Sequence, residues 1–89
     1  MTVHDLKCEM PYFGLVANGH KTFEIQKNDR NFQDGDLLVL RNYCKNTGKY
    51  DGRYVVAKVT YVLRSDSDDL LRDFGLKEGY CTMSIKVLQ

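Results

Sequence analysis

The chain has 89 residues, of which 43% are hydrophobic and 28% charged, and its formal net charge is +1. A chain of this size makes one domain, residues 1–89, that buries about two-thirds of its unfolded surface; the composition excludes a disordered segment, and the near-neutral charge excludes coating of nucleic acid by bulk electrostatics. Cys8, Cys44 and Cys81 are odd in number and widely spaced, which excludes a complete disulfide framework and any Cys-x-x-Cys pair. His4 and His20 add no metal-ligand spacing, so no metal or other cofactor is expected.

The start, Met1-Thr2-Val3-His4-Asp5, lacks the basic-then-apolar pattern of a secretion signal, and runs such as Leu37-Leu38-Val39-Leu40 are too short to span a bilayer. The expectation is a cytoplasmic protein with no membrane partner. Val3 to Cys8 alternates weakly, with Val3 and Leu6 giving an imperfect period, and reads as a first strand. Pro11 suits the first position of a helix, where no amide donor is needed. Tyr12, Phe13, Leu15, Val16 and Ala17 then keep helical spacing and Asn18-Gly19 supplies a stop, which predicts a short helix over Met10 to Asn18.

Phe23 and Ile25 alternate with Thr22, Glu24 and Gln26, the pattern of a half-buried strand whose polar side faces outward or into a cleft. Asn28-Asp29 and Asp34-Gly35 are turn chemistry, so Lys27 to Asp36 reads as a loop with Phe32 as its anchor. Leu37 to Tyr43 is a strand, Asn46-Thr47-Gly48 and Asp51-Gly52 mark a hairpin connection, and Arg53 to Leu63 is the longest strand. Strict alternation there places Val55, Ala57, Val59, Tyr61 and Leu63 on one face. Ser67 is the expected cap of a short late helix, with Leu70, Leu71 and Phe74 inward and Gly75 stopping it. Cys81, Met83, Ile85 and Val87 alternate with Tyr80, Thr82, Ser84 and Lys86 in a last strand. The fold class is mainly β (α+β), and closure into a small barrel is the economical way to remove exposed edges.

Charge is distributed unevenly. Arg41, Lys45, Lys49, Arg53 and Lys58 face Asp51 alone, a local excess of four positive charges, whereas Asp66, Asp68, Asp69, Asp73 and Glu78 outnumber Arg72 and Lys77 by three. Two solvated faces would account for this; a basic hairpin that meets phosphate is the functional alternative.

Gly19-x-Lys21-x-x-Glu24, at the junction of helix and strand, and the later Gly35-Asp36 turn resemble the ASCH domain of the PUA superfamily. The text "KTFEIQKNDRNFQDGD" and the closing "GYCTMSI" are most similar to small stand-alone bacterial and phage members without an assigned function. The usual signature runs Gly-x-Lys-x-x-Glu-x-Arg, and Gln26 stands where its arginine is expected. The resemblance implies a PUA-like β-barrel with one early helix and a cleft between helix and barrel that holds RNA or a nucleotide. It also implies a site built on Lys21 and Glu24. Glutamine is neutral, so Gln26 weakens any grip on phosphate.

Read as chemistry, the Lys21 ammonium and the Glu24 carboxylate suit the donor and acceptor edge of a nucleobase; as a plain surface ion pair they would contribute about 0–1 kcal/mol. Lys27 and Arg30 could hold a phosphate beside Asn28, unless Asn28-Asp29 merely makes the turn. His4 and Lys7 on the first strand are further candidates for the same cleft, Arg41, Lys45, Lys49 and Arg53 for positioning phosphates, and Tyr12, Tyr43 and Tyr80 for stacking. The leading expectation is a non-catalytic RNA- or nucleotide-binding module. The alternative is an amidohydrolase acting on an acylated cytidine or similar nucleoside. In that group of ASCH proteins a Lys acts with a Thr three residues later and a distant Glu. Here Lys21 is kept, Glu24 stands in place of the Thr, and Glu78 is the candidate for the distant Glu. A protein partner is not indicated by any particular patch.

Overall fold

The computed structural model describes residues 1–65 and 75–88. Its elements run β1 (Val3–Glu9), α1 (Tyr12–Ala17), β2 (Phe23–Lys27), β3 (Leu37–Cys44), β4 (Lys49–Arg64) and β5 (Tyr80–Val87). The five strands form one sheet in the order β1-β3-β4-β5-β2, with β1 parallel to β3 and every other pair antiparallel. The sheet curls into a half-barrel, and among the described residues no ladder joins β1 to β2, which remain its two edges. The expected short late helix at Ser67 to Phe74 lies outside the described residues.

Period-two burial builds the core. Leu6 and Cys8 from β1, Leu38 and Leu40 from β3, Val55, Ala57, Val59 and Val62 from β4, and Cys81, Met83 and Ile85 from β5 pack with Phe13 and Val16 of α1. Phe32 is fully buried and anchors the β2–β3 loop, where its burial contributes about 1.5–3 kcal/mol.

Strict alternation fails in β4. A register shift between Val59 and Tyr61 inserts an extra residue, so Tyr61 turns outward and Val62 takes the inward place. The amide this exposes is not lost: Val62 N donates to Asp34 Oδ1 at 2.8 Å, while Gly35 N donates to Val59 O at 2.8 Å. The Asp34-Gly35 turn thus sits against the bulge and fixes it.

β1 also departs from expectation. Its inward residues are His4, Leu6 and Cys8, and Val3 is exposed. His4 is buried against the Phe32 ring and its Nε2 donates to Asp36 Oδ2 at 2.8 Å. The same carboxylate accepts from Thr2 N and Gln33 N, each at 3.1 Å. One side chain therefore ties the chain start, β1 and the turn into β3.

Candidate functional site

Helix α1 ends in a Schellman arrangement: Gly19 N donates to Val16 O at 3.0 Å and His20 N to Leu15 O at 2.9 Å. Gly19 takes φ +80, which a residue with a Cβ adopts only with strain. The reversal swings Lys21 to the start of β2, beside the open seam between the sheet's two edges.

In β2 the inside and outside are the reverse of the apolar reading. Phe23 and Ile25 are 45% and 56% exposed, whereas Glu24 is buried and Gln26 half-buried. The polar side faces the cleft, the second of the two orientations the alternation allowed. As the edge strand at the seam, β2 presents its inner face to the cleft rather than to packed core.

The cleft has a volume of about 530 Å³. One wall is Lys7, Cys8 and Glu9 of β1, the other Phe23 to Gln26 of β2, and Tyr12 of α1 and Lys21 close the end. At its floor Lys21 Nζ donates to Glu24 Oε1 at 3.0 Å and to Phe23 O at 2.8 Å. Gln26 Nε2 donates to the other carboxylate oxygen, Oε2, at 3.1 Å. The Lys21 and Glu24 side chains are only 15% and 8% exposed, so this is a desolvated pair and not the exposed surface pair considered from sequence. The Lys21 ammonium also lies 4.7 Å from the centre of the Phe23 ring and 5.8 Å from that of Tyr12.

The arrangement retains hydrogen-bonding capacity. A carboxylate offers about four acceptor sites and an ammonium three donors; the contacts just described use two of each. The Gln26 carbonyl oxygen adds an acceptor beside them. Donors and acceptors thus lie together in a cleft bordered by two aromatic rings, the complement of a planar heterocycle with a polar edge.

Cys8 belongs to this floor and was not legible as a site residue. Burial first, and the Glu24 carboxylate second, push its thiol up to about 11, so at neutral pH it is a protonated, poorly nucleophilic group. Glu9 and Ile25 were missed as well, since pairing at the seam depends on how far the sheet curls. Alternation in β1 was the available signal for Cys8.

The other sequence candidates divide clearly. Lys7 lines the cleft; His4 does not, because it sits at the other end of β1, hydrogen-bonded to Asp36 beside Phe32. Lys27 is exposed at the far end of β2. Asn28 makes the turn, its N–H donating to Gly79 O at 2.8 Å and its Oδ1 accepting from Phe32 N at 3.4 Å. Arg30 Nη1 donates to Asp5 O at 2.9 Å and straps the loop to β1. Arg41 and Arg53 are paired with Asp5 and Asp51, each at 2.8 Å, and Lys45 and Lys49 are exposed at the β3–β4 hairpin end. Thr22 and Glu78 are exposed and do not line the cleft. Among the described residues no helix is long and apolar enough to cross a membrane.

A sequence profile described as a domain of unknown function, DUF3850, matches residues 3–85, and the chain belongs to that family. An uncharacterized 12.9 kDa protein in the GpA 3′ region of Escherichia phage P2 is 39% identical over 74 residues, which is 83% of this chain and 64% of the phage protein. The chain therefore spans less than two-thirds of that relative. The crystal structure of hypothetical protein PH0355 superposes with a TM-score of 0.62 at 16% identity, covering 99% of this chain and 100% of that one. That likeness is one of fold.

Proposed function

We propose that this member of the DUF3850 family is an ASCH-like, PUA-type module that binds RNA or a nucleotide, taking a base into the cleft between β1, α1 and β2. The observation that carries the reading is the Glu24 carboxylate, held from both sides by Lys21 and Gln26 at the floor of an open cleft. Its spare acceptor sites and the remaining Lys21 N–H would read a base edge, with Tyr12 and Phe23 at the border of the cleft for ring contact. The match of Gly19, Lys21, Glu24 and Gly35-Asp36 to the ASCH signature supports the same reading.

The amidohydrolase alternative keeps a possible base in Glu24 and a carbonyl-polarising group in Lys21. Its nucleophile is harder to supply. Thr22 is exposed outside the cleft, and Cys8, which lies within it, holds its proton.

An NMR titration of the labelled protein with the four ribonucleoside monophosphates, followed on both protein and ligand signals, tests this. Shifts are expected at Lys21, Glu24 and Gln26 for at least one base, lost in Lys21→Ala, with the ligand spectrum unchanged. Turnover of an N-acylated cytidine under the same conditions would move the assignment to the hydrolase. No shift at those three residues with any nucleotide would remove the cleft as a base site.

A further inference from the structure

The outer face of the sheet over β1, β3 and β4 carries a pattern that the fold does not need. Register partners share a face, so Lys7, Arg41 and Tyr54 form one row across the three strands and Glu9, Tyr43 and Tyr50 the next. Strands lie about 4.8 Å apart, and β4 carries two more residues than β3 between these rows, so an irregularity falls between Tyr50 and Tyr54. Tyr54 is 62% exposed and its side chain has neither a hydrogen bond nor a ring contact among the described residues. Tyr50 is 46% exposed beside Tyr43, with ring centres 5.1 Å apart. The Lys7 ammonium lies 4.6 Å from the Tyr43 ring centre and the Arg41 guanidinium 5.7 Å from that of Tyr50.

Tyr54 and Tyr50 leave ring area exposed beside cations on an open sheet face, the composition of an interaction surface. The chemistry of the cover follows from the charge. Lys7 and Arg41 lie in the face and Lys45, Lys49 and Arg53 at its hairpin end, against Asp5, Glu9 and Asp51. The surplus is positive, which suits a polyanion. Exposed rings at two successive rows of one strand suit unpaired bases, which stack on them, rather than a duplex. The face is also continuous with the cleft, because Lys7 and Glu9 of the edge strand β1 belong to both.

We infer that a single-stranded nucleic acid leaving the cleft runs across this face, with bases stacked on Tyr54 and Tyr50 and phosphates met by Lys7 and Arg41. This rests on the base-binding reading of the cleft, and it makes the ligand an oligonucleotide several residues long rather than a free nucleotide. The salt-dependent contribution then comes from the face and the base edge is read in the cleft.

The test is fluorescence anisotropy with labelled random-sequence RNA of three, six and nine nucleotides and the matching DNA, alongside the mononucleotide titration. The nine-mer is expected to bind at least about tenfold more tightly than the trimer, and Tyr54→Ala, an exposed substitution, is expected to weaken the nine-mer about tenfold. Mononucleotide shifts at Lys21 and Glu24 should remain as they are in that variant. Arg41→Ala should flatten the salt dependence by about one phosphate contact. If mononucleotides bind while the nine-mer gains nothing, or if Tyr54→Ala leaves the nine-mer unchanged, the face is overturned and the cleft stands. Tyr54-dependent binding of the nine-mer without cleft shifts would keep the face and remove the cleft, and absence of all binding would remove both. The RNA and DNA arms identify which sugar the track accepts.

Discussion

Two buried carboxylates, Asp36 and Glu24, sit at opposite ends of β1's neighbourhood and differ in what surrounds them. Asp36 meets His4, the Thr2 amide and the Gln33 amide, all from its own fold, deep beside Phe32. Glu24 meets Lys21 and Gln26, but it opens on a cleft and keeps acceptor sites free. Burial of charge is common to both, so burial alone does not mark a site. Unused hydrogen-bonding capacity facing a concavity is what separates the candidate site from a structural knot.

The largest expected effect falls on the structural pair. Asp36→Ala leaves two backbone amides and His4 without their acceptor and should cost about 3–5 kcal/mol in urea unfolding, with nucleotide binding by the surviving folded fraction intact. Loss of binding with unchanged stability would reverse the roles assigned to the two pairs. The pH dependence has a definite sign. Burial pushes the Asp36 carboxyl up, but the His4 hydrogen bond and the two amides outweigh it and hold it below its ordinary 3.8. A group lowered on folding stabilises above its unfolded value and loses that contribution as pH falls through the folded one. The stability advantage of the wild type over Asp36→Asn should therefore be constant down to about pH 4 and narrow below it.

A smaller effect tests the cleft pair. Glu24→Gln keeps the shape and removes the charge, so it should destabilise by no more than about 3 kcal/mol while reducing nucleotide binding by at least about tenfold. The same variant should bring the Cys8 thiol down from about 11 without reaching its ordinary 9.0, because burial, the larger cause, remains. Thiolate absorbance against pH reads this directly; an unchanged Cys8 titration would mean that Glu24 does not act on that floor.

The smallest effect comes from restoring the signature arginine. Gln26→Arg should change stability by less than about 1 kcal/mol and steepen the salt dependence of oligonucleotide binding by about one contact. An unchanged slope would show that this position does not meet phosphate.

These contrasts also explain what was legible beforehand. Strands with clean alternation, such as Cys81 to Val87, were readable because one face is core throughout, and Gly19 announced the end of α1 through its backbone freedom. The bulge at Thr60 was not, since it depends on Asp34 capping a distant amide, and it exchanged the faces that strict alternation assigned to Tyr61 and Val62. Lys21 and Glu24 were legible as a pair through their resemblance to a signature. Their burial was not, because Phe23 and Ile25 are the more apolar side of β2 and yet face out. His4 drew attention as a lone histidine, and only the parallel pairing of β1 with β3 brings it over Asp36.

The walls of the cleft, β1 and β2, occupy opposite ends of the strand order although they are near neighbours in sequence. In the finished sheet they are held on either side of the seam by β3, β4 and β5, which pair between them. The cleft as described is thus a property of the sheet with all five strands in place. A ligand that bridged the seam would bind the folded sheet and not the unfolded chain, and would hold the two edges together by mass action.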